Sequence, residues 1–382
     1  MEKTKTRNSN LELLRIITMI IIVAHHYALH GFYLDEIKSV FFNKYVLDFL
    51  SLGGKLGVCI FIFISGYFMV NSKFTIKKLW KLIGQVFFYS FGITVVFLTA
   101  LKPLNPIDIK TIIKSIFPIS YSVYWFMTSF VMLMIISPYL NKFIHNLTRI
   151  ELRNFIVLMI FLWSIFATFT KADLAFNNLG WFIVLYCISA YIRLYVKFDE
   201  KNIYINKIVL LGSMLLLILS SVAMNYLGSV TGVMLFIENS RYFSNMNSII
   251  VLVLSISIFM FFCSKKSYNN NFVNELAKYT LGVYLIHDNW IFRPYLWQKI
   301  LRTTSFYTSK YLIVHAIISI ACVYIGCTII DLLRAKLIEP IWMKLYYVIE
   351  RKVKKTKMIN KLIDKYNNRV EIDERKEELD TI

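Results

Sequence analysis

Charge is scarce in this chain: Asp, Glu, Lys and Arg make up 17% of its 382 residues, whereas 57% are hydrophobic and 16% aromatic. Soluble globular chains carry about 25% charged residues, so this one has too little polar surface to cover itself in water. A water-soluble enzyme is excluded. The five cysteines (Cys59, Cys187, Cys263, Cys322 and Cys327) all fall in apolar runs and form no Cys-x-x-Cys or Cys/His spacing. Neither a disulfide framework nor a metal site is expected. Repeats of fixed period are absent. So are two similar halves with Gly- or Pro-broken spans, the pattern expected of many transporters.

What the chain has is apolar length. Ten runs near 20 residues recur at 13–33, 56–71, 80–101, 121–144, 152–170, 179–197, 207–228, 246–264, 278–297 and 311–334. Each is roughly long enough to cross a bilayer as a helix. The expected fold is therefore an all-α polytopic membrane protein, a bundle of about ten transmembrane helices. The second run could start earlier, near Leu47, and the ninth is the least apolar. The first is too long for a signal-peptide core and has no small-residue cleavage site, so it reads as a retained span.

The formal charge of +20 is spread over short segments between the runs, unlike the concentrated patch of a nucleic-acid binder. Most Lys and Arg fall in the segments that share a side of the membrane with the N-terminus, and the positive-inside rule then puts both termini in the cytoplasm of a multi-pass protein of the cell membrane. The expected parts are a cytoplasmic N-terminus (1–12), the membrane domain (13–334) and a cytoplasmic segment (335–382). That last segment reads as an interfacial helix over 338–347, then a basic stretch suited to anionic lipid headgroups and an acidic end. The longest inter-span loop, 34–55, has 22 residues, so any chemistry belongs to the bundle.

Ionisable side chains inside a span cost about 2.5–3.5 kcal/mol at its centre, so each asks for a reason. The first span carries Glu12, Arg15, His25, His26 and His30, including three of the chain's six histidines. At 100° per residue, the eleven steps from Arg15 to His26 make three turns plus about 20°, so the two share a face. Glu12 and His30 fall close to that line and His25 lies about 80° off it. Arg15 and Glu12 could simply pair at the headgroups, and His30 could sit at an interface. His26 is harder to explain that way, because an imidazole so placed needs a polar partner or a wet cavity.

These residues resemble the acyltransferase 3 family of integral membrane acyltransferases, whose Arg-x10-His pattern is filled by Arg15 and His26. Three further segments fit in the family's order. They are Phe61-Ile62-Phe63-Ile64-Ser65-Gly66-Tyr67-Phe68, the stretch from Tyr124-Trp125-Phe126 to Ser137-Pro138-Tyr139-Leu140, and Leu281-Gly282-Val283-Tyr284-Leu285-Ile286-His287. The resemblance covers roughly 9–334. It implies ten spans, an acyl-CoA donor, usually acetyl-CoA, as co-substrate with no resident cofactor, and a hydroxyl of a cell-surface sugar as acceptor. Where many members carry Arg-x-x-Arg after the second span, this chain has Lys78-x-x-Lys81 near Lys73 and Lys77. Lysine meets phosphate as a point charge and lacks the fork of arginine.

On this resemblance His26 is the expected base or transient acyl carrier, and His287, followed by Asp288, the histidine that completes the site. Arg15, Lys73, Lys78 and Lys81 are expected to meet CoA. The rise from Arg15 to His26, about 16 Å, is close to the length of a pantetheine arm. Glu12, His30, Tyr124 and Trp125 are candidates for the acceptor, although aromatics at a span end also form interfacial belts. Ser65 suits close helix packing better than nucleophilic attack. The expected partners are membrane lipids, acyl-CoA and an envelope polysaccharide or lipid-linked sugar. Two other classes stay open: a polysaccharide or lipid-linked glycan exporter, and a non-enzymatic subunit of a glycan-assembly complex.

Overall fold

A computed structural model describes residues 8–101, 103, 106–170, 176–355 and 361. The first seven residues of the expected N-terminal part, and the charged tail beyond 355 apart from residue 361, lie outside them. Every regular element among the described residues is helical. Nine segments there are long and apolar enough to cross a membrane. They are α1 (Ser9–Phe32), the pair α2 (Phe42–Ser51) and α3 (Gly53–Met69), α4 (Ile76–Thr99), α5 (Trp125–Asn146), α6 (Arg149–Thr170), α7 (Asn178–Tyr195), α8 (Glu200–Thr231), Met234–Cys263 with its continuous part α9 (Ile249–Cys263), and the helix Leu312–Leu337 near the C-terminal end. The second span thus begins at Phe42 and not at 56.

The expected ninth span, 278–297, is not one helix. Helix α10 (Thr280–His287) stops at its histidine, and helix resumes at Phe292 and passes into a π-helical turn, Tyr295–Ile300. The segment still runs the length of α1. Ser9 Oγ donates to Asn274 Oδ1 (2.8 Å) at one end of α1, and Gln298 Nε2 donates to Gly31 O (2.8 Å) at the other. It is therefore a broken helix laid along the full length of a candidate span. The break has a local cause in Asn289, whose side-chain oxygen accepts from the N–H groups of Ile291 (3.0 Å) and Phe292 (3.1 Å), restarting the helix after a turn.

Small residues set the helix contacts. A Cβ on Gly53, Gly54 or Gly57 of α3 would fall within 2.7 Å of Ile21, His25 or Ile22 of α1, so these glycines let the two backbones meet. Gly66 does the same for α3 on α7, beside Ser189. Gly282 of α10 packs on the Asp331 carboxylate of α11 (Leu312–Leu337). One apolar core, with Phe63, Trp181, Phe182 and Phe259, joins α3, α7 and α9. A second, with Tyr27, Val86, Leu285 and Cys327, joins α1, α4, α10 and α11. Outward-facing residues of α8, among them Leu211, Leu215, Leu219 and Tyr226, are exposed, as a lipid-facing surface requires.

Helix α12 (Glu339–Lys355) follows, longer than the expected 338–347. It is docked onto the start of α4. The Trp342 indole stacks on Trp80 at 4.9 Å and covers Gly84, and Glu339 meets Lys81 at 2.5 Å and Arg334 at 3.1 Å.

Candidate active site

Arg15, Met19, Ile22, His26 and His30 line one cavity, and their spacing of four, three, four and four residues places them along one face of α1. The cavity holds about 930 Å³ and also takes in Lys55, Phe61, Ser65, Lys81, Trp125, Leu281, Asp288 and Arg293. Apolar side chains, Met19, Val58, Phe126 and Tyr284 among them, share its wall with the charged groups.

The histidines of α1 differ in their partners. His25 turns to the α2–α3 junction, its Nδ1 2.6 Å from Ser51 O. His26 Nδ1 lies 2.8 Å from Nε2 of His287, a residue 261 positions away and fully buried. His287 Nδ1 in turn lies 2.5 Å from Val283 O. A carbonyl only accepts, so His287 carries its proton on Nδ1 and a neutral His287 presents a bare Nε2. His26 must then donate from Nδ1, which leaves the lone pair of His26 on Nε2. The fold thus fixes both tautomers. His26 has the chemistry of an oriented base with one nitrogen free for a substrate.

Asp288 stands beside this pair, its Oδ1 3.7 Å from His30 Nε2, 3.9 Å from His26 Nδ1 and 3.1 Å from Arg293 Nη1. His26, His30 and Asp288 each bring a ligand-type atom within 4.8 Å of the others. His26 Nδ1 already faces His287, however, and Asp288 already accepts from Arg293, so these atoms serve the hydrogen-bond network as arranged.

A family model described as an acyltransferase domain matches residues 8–332, spanning α1 to α11. The chain belongs to the acyltransferase 3 family. It is a membrane acyltransferase. No curated protein and no solved structure matches it.

The residues expected from the sequence of this acyltransferase are not all brought together. Arg15, His26, His30, Lys81 and Trp125 line the cavity, and His287 stands directly behind His26. Glu12 is buried and pairs with Arg15 at 2.9 Å. Lys73 and Lys78 are exposed and off the cavity wall. Tyr124, 1% exposed, is off it too: its hydroxyl donates to Leu285 O (2.9 Å) and accepts from Asn289 Nδ2 (2.8 Å), tying α5 to the break after α10.

Among the cavity residues that escaped the sequence reading are Lys55, Lys278 and Arg293. Arg293 and Lys278 lie within or beside the least apolar run, and Lys55 fell just outside a second span drawn from 56. Placing the start of that span at 42 puts Lys55 inside a crossing, where an ammonium needs a reason.

Proposed function

We propose that the protein moves an acyl group, acetyl in the simplest case, from acyl-CoA to a hydroxyl of a cell-envelope polysaccharide or lipid-linked sugar. The observation that carries this reading is His26, with Nδ1 committed to His287 and Nε2 free, on the wall of a cavity that also takes in Arg15. In this reading both termini are cytoplasmic, CoA enters at the Arg15 end, and its phosphates meet Arg15 and Lys81. The pantetheine arm runs about 16 Å along α1 to His26. The acceptor comes from the opposite side of the cell membrane, toward His30 and Trp125.

The acceptor hydroxyl gives its proton to His26 Nε2 while its oxygen attacks the thioester carbonyl carbon. His287 accepts from Nδ1–H and so stabilises the imidazolium. The tetrahedral intermediate collapses, the C–S bond breaks, and the CoA thiolate takes the proton back from Nε2. In a two-step variant His26 Nε2 itself attacks the thioester carbonyl, the C–S bond breaks to release CoA thiolate, and the acyl-imidazolium passes its acyl group to the hydroxyl, whose proton goes to the thiolate. Isotope exchange between free CoA and acyl-CoA without acceptor occurs in the two-step route alone.

The test is transfer of labelled acetyl groups from acetyl-CoA to a crude envelope-glycan fraction by membranes holding equal amounts of each variant. His26→Ala should lower the rate by about 10²–10⁴. Arg15→Ala should raise the donor KM by about tenfold or more, the value of one charged hydrogen bond. Full activity in His26→Ala would refute the reading.

A further inference from the structure

Among the described residues, the cations on the cavity wall are paired, with one exception. Arg15 meets Glu12 at 2.9 Å, Lys81 meets Glu339 at 2.5 Å, Lys278 meets Glu275 at 2.5 Å and Arg293 meets Asp288 at 3.1 Å. Arg241 is held by Asp35 and by Asp48. Lys55 is on the same wall and, among the described residues, no carboxylate lies within 4.0 Å of its ammonium. Its Nζ sits over the Trp125 ring, 4.6 Å from the centroid.

Lys55 is also at the depth of the histidines. Its neighbour Gly54 abuts the His25 ring, where an added Cβ would come within 2.3 Å, and the rings of His25 and His26 are 5.2 Å apart. On the other wall, Tyr124, next to Trp125, bonds Leu285 and Asn289, which flank His287. An ammonium kept without a counter-charge inside a span is costly. A face of indole lowers that cost and holds the side chain, yet leaves its N–H donors unused.

We propose that Lys55 is a catalytic residue that stabilises the negative charge developing on the thioester carbonyl oxygen. This rests on the acyl-transfer reading above. When the acceptor oxygen bonds to the carbonyl carbon, the C=O π pair moves onto oxygen, and Lys55 Nζ–H donates to that oxyanion. On collapse the pair returns, C=O re-forms and the C–S bond breaks. Lys55 stays protonated throughout, and the proton cycle belongs to His26. Charge that exists only in the transition state is where a preorganised unpaired cation accelerates a reaction instead of tightening binding.

The experiment uses the full chain in lipid nanodiscs, with labelled acetyl-CoA and the glycan fraction, comparing wild type, Lys55→Met, Lys55→Ala and His26→Ala. The expected result is a kcat lower by about 10²–10³ in both Lys55 variants, with the KM of donor and acceptor within about threefold of wild type. Part of the loss in Lys55→Ala should return with ethylammonium and not with sodium at equal ionic strength, a rescue that a purely structural lysine does not give. A kcat within threefold of wild type would overturn the proposal. A loss confined to the acceptor KM would assign Lys55 to an anionic sugar, and failure of both variants to fold would assign it to structure, each against the proposal. Absence of His26-dependent transfer in wild type would instead refute the acyl-transfer reading itself.

Discussion

His287 offers the sharpest test of the site, because it is fully buried and, in the proposed mechanism, acts only through His26. His287→Leu keeps similar bulk but removes the acceptor for His26 Nδ1–H and the donor to Val283 O. In the transition state the first of these bonds runs from an imidazolium, and hydrogen bonds to charged groups are worth about 1.5–3 kcal/mol. At 1.36 kcal/mol per tenfold, kcat should fall by about tenfold to 150-fold. That is less than the loss expected from His26→Ala, since an unaligned base is still a base. His287→Gln, whose amide oxygen can accept from His26, should recover part of the loss.

The decisive measurement is the double variant. Initial rates of acetyl transfer in nanodiscs should show that His287→Leu costs less than about threefold once His26 is already Ala, because the two act as one unit. If His287→Leu left kcat within twofold of wild type in folded protein, the inferred proton arrangement would be wrong. The same conclusion would follow if its full cost persisted in the His26→Ala background, since His287 would then act independently.

Two further predictions concern the frame. Lys44 and Asp48, each 1% exposed, form a pair at 2.7 Å within α2, with Asn225 of α8 donating to Asp48 at 2.6 Å. Asp48→Ala strands a buried ammonium and should destabilise by about 3–5 kcal/mol, read as a lower unfolding midpoint in detergent; Lys44→Met with Asp48→Leu should lose less than Asp48→Ala. Gly54→Ala drives a Cβ to within 2.3 Å of the His25 ring, so it should lower both folded yield and activity, while Gly92→Ala, whose Cβ meets nothing within 4 Å, should leave both unchanged.

The membrane class and the face of α1 were legible because both follow from local arithmetic. Composition sets the solvent, and 100° per residue puts Arg15, His26 and His30 on one wall. The second span was drawn short because Asn43, Lys44 and Asp48 lower the apolar signal at its start. Lys44 pairs with Asp48, which also accepts from Asn225, and Asn43 donates to Tyr307 O and Ser309 O, and that compensation lies in tertiary structure where no hydropathy count registers it. Lys55 was lost from the site with them. The His26–His287 bond joins residues 261 apart, so no local period points to it. Tyr124 was expected at the acceptor with Trp125, but it is the extended residue before the helix that Trp125 begins, and its buried hydroxyl bonds Leu285 and Asn289.

The ninth run is broken for the reason that makes it useful. Inside a bilayer a backbone may leave the helix only where other groups replace its lost hydrogen bonds. Here Asn289 receives two freed N–H groups and Tyr124 fixes Leu285 O, so the chain can stop at His287. The stop does chemical work. A helix continued through 288–291 would carry successive residues round its axis at 100° each and would need no Asn289 to reopen it. The turn instead brings Asp288 beside His26 and His30 and within 3.1 Å of Arg293, while His287 keeps the helical register that sends its Nδ1 to Val283 O. The low apolarity of this run and the polar end of the cavity therefore meet at one place in the chain: Asn289 and Tyr124 satisfy the backbone where Asp288 turns toward His26 and His30.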